Sequence, residues 1–285
     1  MRQLSIKKIV LGIAAMVLVM GTFVACGNNP SGTYAIRVVT AGGMALQEVE
    51  IKVYTDETKS DIVAAGRTDE KGLFSFESEG SVGHVIYLEE VPVGYEMQDS
   101  YKIKSQDTEI ALESKLLSVD DIDGVSFRLG NVFADFSVTA PDGTVYKISE
   151  ILKEKKAVVL NFWYIGCAPC KMEFPYLEEA YGKYKDDIEV LAINTVDGTN
   201  ENITQFKEEN QYTFPMMVGT EGWAEHINMA SFPTTLIIDR YGTIGYFHHG
   251  MLMSASEFET LFEYFTAEDY VQSTVRNLNA IEKQD

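Results

Sequence analysis

Residues 157–164, Ala-Val-Val-Leu-Asn-Phe-Trp-Tyr, run apolar with one amide and no alternation; after Ile165 and Gly166 comes Cys167-Ala-Pro-Cys170. A strand with one solvated face alternates apolar and polar side chains, whereas a continuous apolar run marks a strand buried on both faces. Such a strand must be covered on two sides, which demands a sheet with helices packed over it. The flanking sequence supplies the parts. Residues 167 to about 185 read as helix, IEVLAIN as a second buried strand, ENITQFKEEN as helix, FPMMVG as a short strand and GWAEHINMA as helix. TTLIIDRYGTIGYFHHG reads as a hairpin turning at Tyr241–Gly242. SEFETLFEYFTAE spaces Phe258, Leu261, Phe262 and Phe265 as the apolar face of a closing helix. Ahead of the run, FSVTAPDGTVYKIS is a hairpin around Asp142–Gly143.

The chain has 285 residues, room for a second body. From Ile36 to Leu112 the pattern is short strands and turns, EVEIKVYT, RTDEKGLFSFES and HVIYLEEVPVGYEM, with no helical stretch of useful length. These predict an all-β sandwich of about seven strands, so the fold class expected is an all-β sandwich followed by an α/β domain. The segments GMALQEVEIKVY, TDEKGLFSFE and VPVGYE resemble the Cna-B/SpaA-type surface domain or its carboxypeptidase-regulatory-like cousin. Some such domains carry a Lys–Asn isopeptide bond. Here the first strand has Arg37 and no Lys, and TEIALES has no Asn, so no crosslink is expected. A spacer or docking module is the expectation. Ser114 to Gly130 reads as linker. Its Asp120, Asp121 and Asp123 do not fit a calcium loop, because Val119 stands where the first acid belongs and no closing Glu follows.

The N-terminus reads as a targeting segment. Arg2, Lys7 and Lys8 precede an apolar stretch from Ile9 to Val24, short for a bilayer span, which needs about 20 residues. It ends in TFVAC, which resembles the lipobox of bacterial lipoproteins, with Phe23 in place of the usual Leu. Cys26 is then the lipidated residue, and the body lies at the extracytoplasmic face of the cell membrane, held by its acyl chains. The expected organisation is a signal peptide over 1–25, lipidated Cys and tether over 26–34, sandwich over 35–113, linker over 114–130, α/β domain over 131–267 and tail over 268–285. Acidic residues outnumber basic ones 43 to 23, a net charge of −20, which excludes nucleic acid as a partner.

Of three cysteines, Cys26 is taken by lipid, which leaves Cys167 and Cys170 to each other. They stand where a buried strand meets a helix. A helix N-terminus offers unpaired N–H groups and a positive dipole end, both of which favour thiolate at Cys167. Cysteines in such motifs ionise between about pH 7 and about pH 3.5. Pro169 suits the first turn, where its missing N–H costs nothing. A structural zinc site wants four Cys or His ligands; there is no second Cys pair, and none of the four histidines lies near residue 167. His248 and His249, adjacent on a strand, point to opposite faces. No metal site is expected, and a redox pair is.

NFWYIGCAPCKMEFP, VLAINTVDG and SFPTTLIIDRYGTI, with the spacing between them, resemble the thioredoxin fold and, within it, the exported TlpA/ResA-type thiol-disulfide oxidoreductases. The resemblance covers about residues 130–267. It implies a CxxC at the start of the first long helix and a cis-proline loop against it, matched by Pro233 in Phe232-Pro233-Thr234. The backbone there is expected to pair with an extended substrate strand, and Trp163 and Phe232 to flank it. Glu173 matches the C-x-x-E-F-P continuation and shares a helix face with Cys170, three residues before it. A partly buried carboxylate there, its pKa raised by desolvation, is a credible base for Cys170. Asn161 stands where thioredoxins proper have a buried Asp.

The implied cycle is thiol–disulfide exchange, with no cofactor beyond the Cys167–Cys170 disulfide. Cys167 attacks a protein disulfide; Cys170, deprotonated with help from Glu173, resolves the intermediate. DsbA, at about −120 mV, oxidises and thioredoxin, at about −270 mV, reduces. Ala168-Pro169 offers none of the charge that stabilises a DsbA-type thiolate, so a reductant is expected. By resemblance its electrons come from a CcdA/DsbD-like membrane protein. Two other classes stay open: a thiol peroxidase, although Tyr164 occupies the position of its motif Thr, and a binding lipoprotein acting through the sandwich.

Overall fold

The computed structural model describes residues 29–117, 129–219 and 231–272. Cys26, the targeting segment, Asp120, Asp121 and Asp123, and the helix expected over 222–230 lie outside the described residues.

The N-terminal body is a sandwich of two four-stranded sheets. One runs β4 (Leu73–Ser78), β1 (Gly32–Thr40), β8 (Asp107–Ser114), β6 (Tyr95–Glu96). The other runs β3 (Ile62–Arg67), β2 (Glu50–Tyr54), β5 (Val85–Glu89), β7 (Tyr101–Lys102). Alternation along the strands fills the space between the sheets: Tyr34, Ile36 and Val38 from β1 meet Ile51 and Val53 from β2 and Ile86 from β5, all essentially out of solvent. Eight strands form where about seven were expected, because two of them are only two residues long. β1 also starts at Gly32, inside the stretch expected to be tether. Its first residues pair with β4, and Asn29 Oδ1 accepts from Val82 N at 2.7 Å.

The C-terminal body is a five-stranded sheet in the order β13 (Met216–Val218), β12 (Ile188–Asn194), β11 (Ala157–Trp163), β14 (Thr234–Asp239), β15 (Ile244–His249). β12 runs parallel to β11 and β13, and β14 runs antiparallel to β11 and β15. The hairpin β9 (Ser137–Thr139) and β10 (Val145–Lys147) precedes it. Among the described residues four helices complete it: α1 (Ile148–Glu154), α2 (Ala168–Tyr184), α3 (Asn200–Asn210) and α4 (Ala255–Thr266). α1 has no counterpart in the sequence analysis; at seven residues it is too short to show a helical period. Every residue of β11 is buried, as the apolar run requires. Val159, Trp163 and Ala157 face Phe174, Leu177, Phe258 and Phe262 of α2 and α4, while Val158, Leu160 and Phe162 face the hairpin and Ile148 of α1.

The segment expected as a C-terminal tail from residue 268 packs between the two bodies as far as Gln272. Tyr270 OH donates to Asp239 Oδ2 at 2.9 Å. Gln272 N donates to Gly42 O at 2.9 Å and its Nε2 to Thr243 Oγ1 at 2.7 Å, and its Oε1 accepts from Thr40 Oγ1. A Cβ on Gly42 would sit 2.5 Å from that of Gln272, so only glycine lets the sandwich approach so closely. Val132 joins the sandwich core, and Tyr95 OH reaches Gly130 O at 3.2 Å.

Candidate active site

β11 delivers the chain to the surface end of the sheet, and a tight turn, closed by Cys167 N donating to Tyr164 O at 3.1 Å, carries it into α2. Cys167 is the N-cap of that helix: its Sγ accepts from Cys170 N at 3.1 Å and its carbonyl from Lys171 N at 3.2 Å. The cap sulfur therefore already meets the kind of N–H donor that stabilises a thiolate. Pro169 lies in the first turn. Cys167 and Cys170 are joined as a disulfide with Cα atoms 5.3 Å apart, and they are 1% and 0% exposed.

Glu173 is fully buried one turn into α2. Its Oε1 accepts from Asn161 Nδ2 at 2.7 Å and its Oε2 from Leu252 N at 2.7 Å. Asn161 Nδ2 also reaches Thr235 Oγ1 at 3.1 Å, which ties the carboxylate to β11 and β14. Burial pushes the Glu173 carboxyl up to about 7, although the Leu252 and Asn161 donors pull it the other way and Glu257 adds a smaller upward push. A carboxyl that titrates near neutrality on the helix face of Cys170 can take a proton and release it again over the physiological range.

The Phe232–Pro233 bond is cis. Pro233 O accepts from Gly250 N at 2.8 Å, which anchors the loop to the end of β15. The N–H and C=O of Phe232 have no backbone partner among the described residues. Phe232 lies edge-on to Tyr164, with centroids 5.3 Å apart. Tyr164, Ile165 and Phe232, each partly buried, pack against the cluster that holds both cysteines.

Trp163, expected at the substrate face, is instead fully buried, edge-on to Phe174 at 5.1 Å and beside Phe206. It is the last residue of β11, and the strand's alternation turns it under the sheet; Tyr164, past the strand end, takes the surface place. His248 and His249 do separate, His248 stacking on Tyr246 and His249 Nδ1 meeting Thr234 Oγ1 at 3.0 Å beside the cis-proline loop. Burial lowers the His248 pKa, with Glu257 opposing.

Sequence reasoning missed Asn194 and Asp197. Asp197 Oδ1 accepts from Ile165 N at 2.7 Å and Oδ2 from Gly166 N at 3.1 Å, so this side chain grips the turn ahead of Cys167. The available signal was Asn-Thr-Val-Asp-Gly at a strand end, residue types that bond their own backbone in turns.

Residues 129–247 match the AhpC/TSA family. The thioredoxin-like protein YneN of Bacillus subtilis is 31% identical over 130 residues, 45% of this chain and 75% of that one. The thiol-disulfide oxidoreductase ResA of Oceanobacillus iheyensis is 33% identical over 128 residues, 43% of this chain and 65% of that one. Among solved structures, a thiol:disulfide interchange protein of the thioredoxin family from Chlorobium tepidum aligns over 50% of this chain and 100% of its own, with 21% identity and a TM-score of 0.44. The family match lies in the C-terminal body, and each of the named similarities covers half of this chain or less.

Proposed function

The chain belongs to the thioredoxin-like thiol-disulfide oxidoreductases that include YneN and ResA, and from that premise we propose that it is a lipid-anchored reductase of protein disulfides at the extracytoplasmic face of the cell membrane. One observation carries the reading: Cys167 of the cysteine pair caps a helix N-terminus while a buried carboxyl, raised to about 7, sits one turn behind Cys170.

In the reduced state Cys167, at the helix end, is the thiolate. Its sulfur attacks a substrate disulfide, forms one S–S bond and expels the substrate's other sulfur as thiolate, which takes up a proton. Glu173, ionised, accepts the Cys170 proton; the Cys170 sulfur then attacks Cys167 Sγ and releases the second substrate thiolate. Two electrons leave the protein, and the Cys167–Cys170 disulfide remains. A membrane dithiol donor of the CcdA/DsbD kind restores the thiols. Phe232, whose N–H and C=O have no backbone partner among the described residues, and Pro233 hold the substrate as an extended segment against the dithiol. Cys26 carries the lipid that keeps the domain within reach of its donor. The peroxidase alternative would want a Thr three residues before the attacking cysteine, and Tyr164, edge-on to Phe232, holds that position.

Trapping tests the reading. Expressed in its native envelope, Cys170→Ser should accumulate a mixed disulfide at Cys167 that mass spectrometry identifies, and wild type should reduce insulin while Cys167→Ser does not. Equal inertness of wild type and Cys167→Ser, or hydrogen peroxide turnover that depends on Cys167 with no disulfide reduction, overturns it.

A further inference from the structure

Ile165 and Gly166 are the two central residues of the turn that leads into Cys167. In such a turn the N–H groups at both central positions point out of the turn and have no partner within it. Here both donate to one carboxylate, at 2.7 and 3.1 Å, from Asp197 on the loop after β12. That carboxylate is itself held. Asn194, the last residue of β12 and fully buried, donates from Nδ2 to Asp197 Oδ1 at 3.1 Å. Its Oδ1 collects the N–H groups of Val196, Asp197 and Gly198 at 3.1, 3.1 and 2.8 Å. A Cβ on Gly198 would fall 2.7 Å from the Asn194 amide carbon, so the loop closes this tightly only with glycine there. The buried end of one strand thus delivers a fixed anion to the residues directly ahead of the attacking cysteine.

We propose that Asp197 is a positioning residue for Cys167 that also sets how readily its sulfur ionises, and that it holds the dithiol toward the reducing side. This rests on the dithiol reading above. Charge-assisted bonds to consecutive N–H groups are among the stronger hydrogen bonds, and they fix the turn whose end is the cap residue Cys167. The same carboxylate opposes a second negative charge nearby, and no Lys or Arg pairs with it among the described residues. Burial pushes the Asp197 carboxyl up, but the N–H donors of Ile165 and Gly166 and the Asn194 amide outweigh it and leave it below the usual carboxylate range. It is therefore ionised wherever Cys167 titrates. Among the described residues, the other charged groups that α2 carries beside the cysteines are Lys171 in its first turn, whose ammonium lies over the Phe206 ring, and Glu173 on the buried face. The helix end favours thiolate and Asp197 tempers it.

The test compares Asp197→Asn and Asp197→Ala with wild type in the full chain. Asn keeps an acceptor for the turn and removes the charge; Ala removes both. The readouts are thiol ionisation from the pH dependence of iodoacetamide alkylation, the equilibrium constant with glutathione, and kcat/KM for insulin reduction. Asp197→Asn should ionise at lower pH and shift the glutathione equilibrium toward reduced protein by roughly three- to tenfold. Asp197→Ala should show that shift together with a fall in kcat/KM of about tenfold, which Asn restores in large part. If wild type equilibrates with glutathione and Asp197→Asn matches it within twofold, the proposal fails alone. If wild type does not equilibrate at all, the dithiol reading fails and takes this one with it.

Discussion

Glu173→Gln separates a working base from an ordinary buried side chain, because it should make the protein slower and more stable at once. Burial raises the Glu173 carboxyl from 4.5 to about 7. The folded protein therefore holds that proton more tightly than the unfolded chain does between those two values. Stability from this group is fully present below pH 4.5 and is lost as pH rises to 7. The loss is about 3 kcal/mol at the constant that relates a pKa shift to free energy. Glutamine has nearly the same shape and carries no charge. Asn161 Oδ1 has no hydrogen-bond partner among the described residues, so after rotation of its amide it can accept from the NH₂ group that the substitution introduces. In urea unfolding of the oxidised protein, the variant should match wild type within about 1 kcal/mol at pH 5 and exceed it by up to about 3 kcal/mol at pH 8. Turnover should move the other way, falling ~10²-fold near neutrality, the low end for general-base catalysis, with loss of the inflection near pH 7. A variant equally destabilised at both pH values, with that inflection intact, would refute the argument.

Three further outcomes follow from other parts of the molecule. The reduction potential of the Cys167–Cys170 couple, measured against glutathione, should lie below about −170 mV, since the two intervening residues carry no charge that stabilises the thiolate; a higher value contradicts assignment as a reductant. Gln272→Ala should cost about 1–3 kcal/mol, because Thr40 and Thr243 lose a partner in a buried place, and an unchanged melting temperature would show that the segment does not clasp the two bodies. Asp239, buried beneath Tyr270, is raised to about 6 by desolvation against the pull of the Thr243 and Tyr241 amides, Tyr270 and Gln272. The stability it contributes is present below pH 3.8 and lost as pH rises to 6; Asp239→Asn should flatten that part of a stability-against-pH curve.

Much of this was legible from residue order. The unbroken apolar run of β11 announced a strand covered on both faces, and every residue in it is buried. Cys167 and Cys170 could be placed at a helix start because the run ends just before them and Pro169 lies between them. What escaped depended on places where distant segments meet. That Trp163 packs on Phe174 and Phe206 while Tyr164 reaches the surface turns on where β11 ends, and the unbroken apolar run does not mark that end. Tyr270 and Gln272 look like tail residues until Thr40, Gly42, Asp239 and Thr243 are seen around them. Asp197 lies far beyond Cys167 in the chain, and only the parallel pairing of β11 with β12 brings it to the turn.

By itself the amino-acid sequence determined the covalent chemistry available: two thiols with two residues between them, at the mouth of a helix, with a carboxyl one turn on. These are local facts, set by spacing along a single backbone. The tertiary structure alone decided the energies of those groups. It took Glu173 out of water, set the Asn161 amide and the Leu252 N–H against its oxygens, and brought the Asp197 carboxylate to the turn before Cys167. The physical reason is that ionisation depends on the dielectric and the dipoles within a few ångströms, and in a folded chain most of those belong to residues far away in sequence.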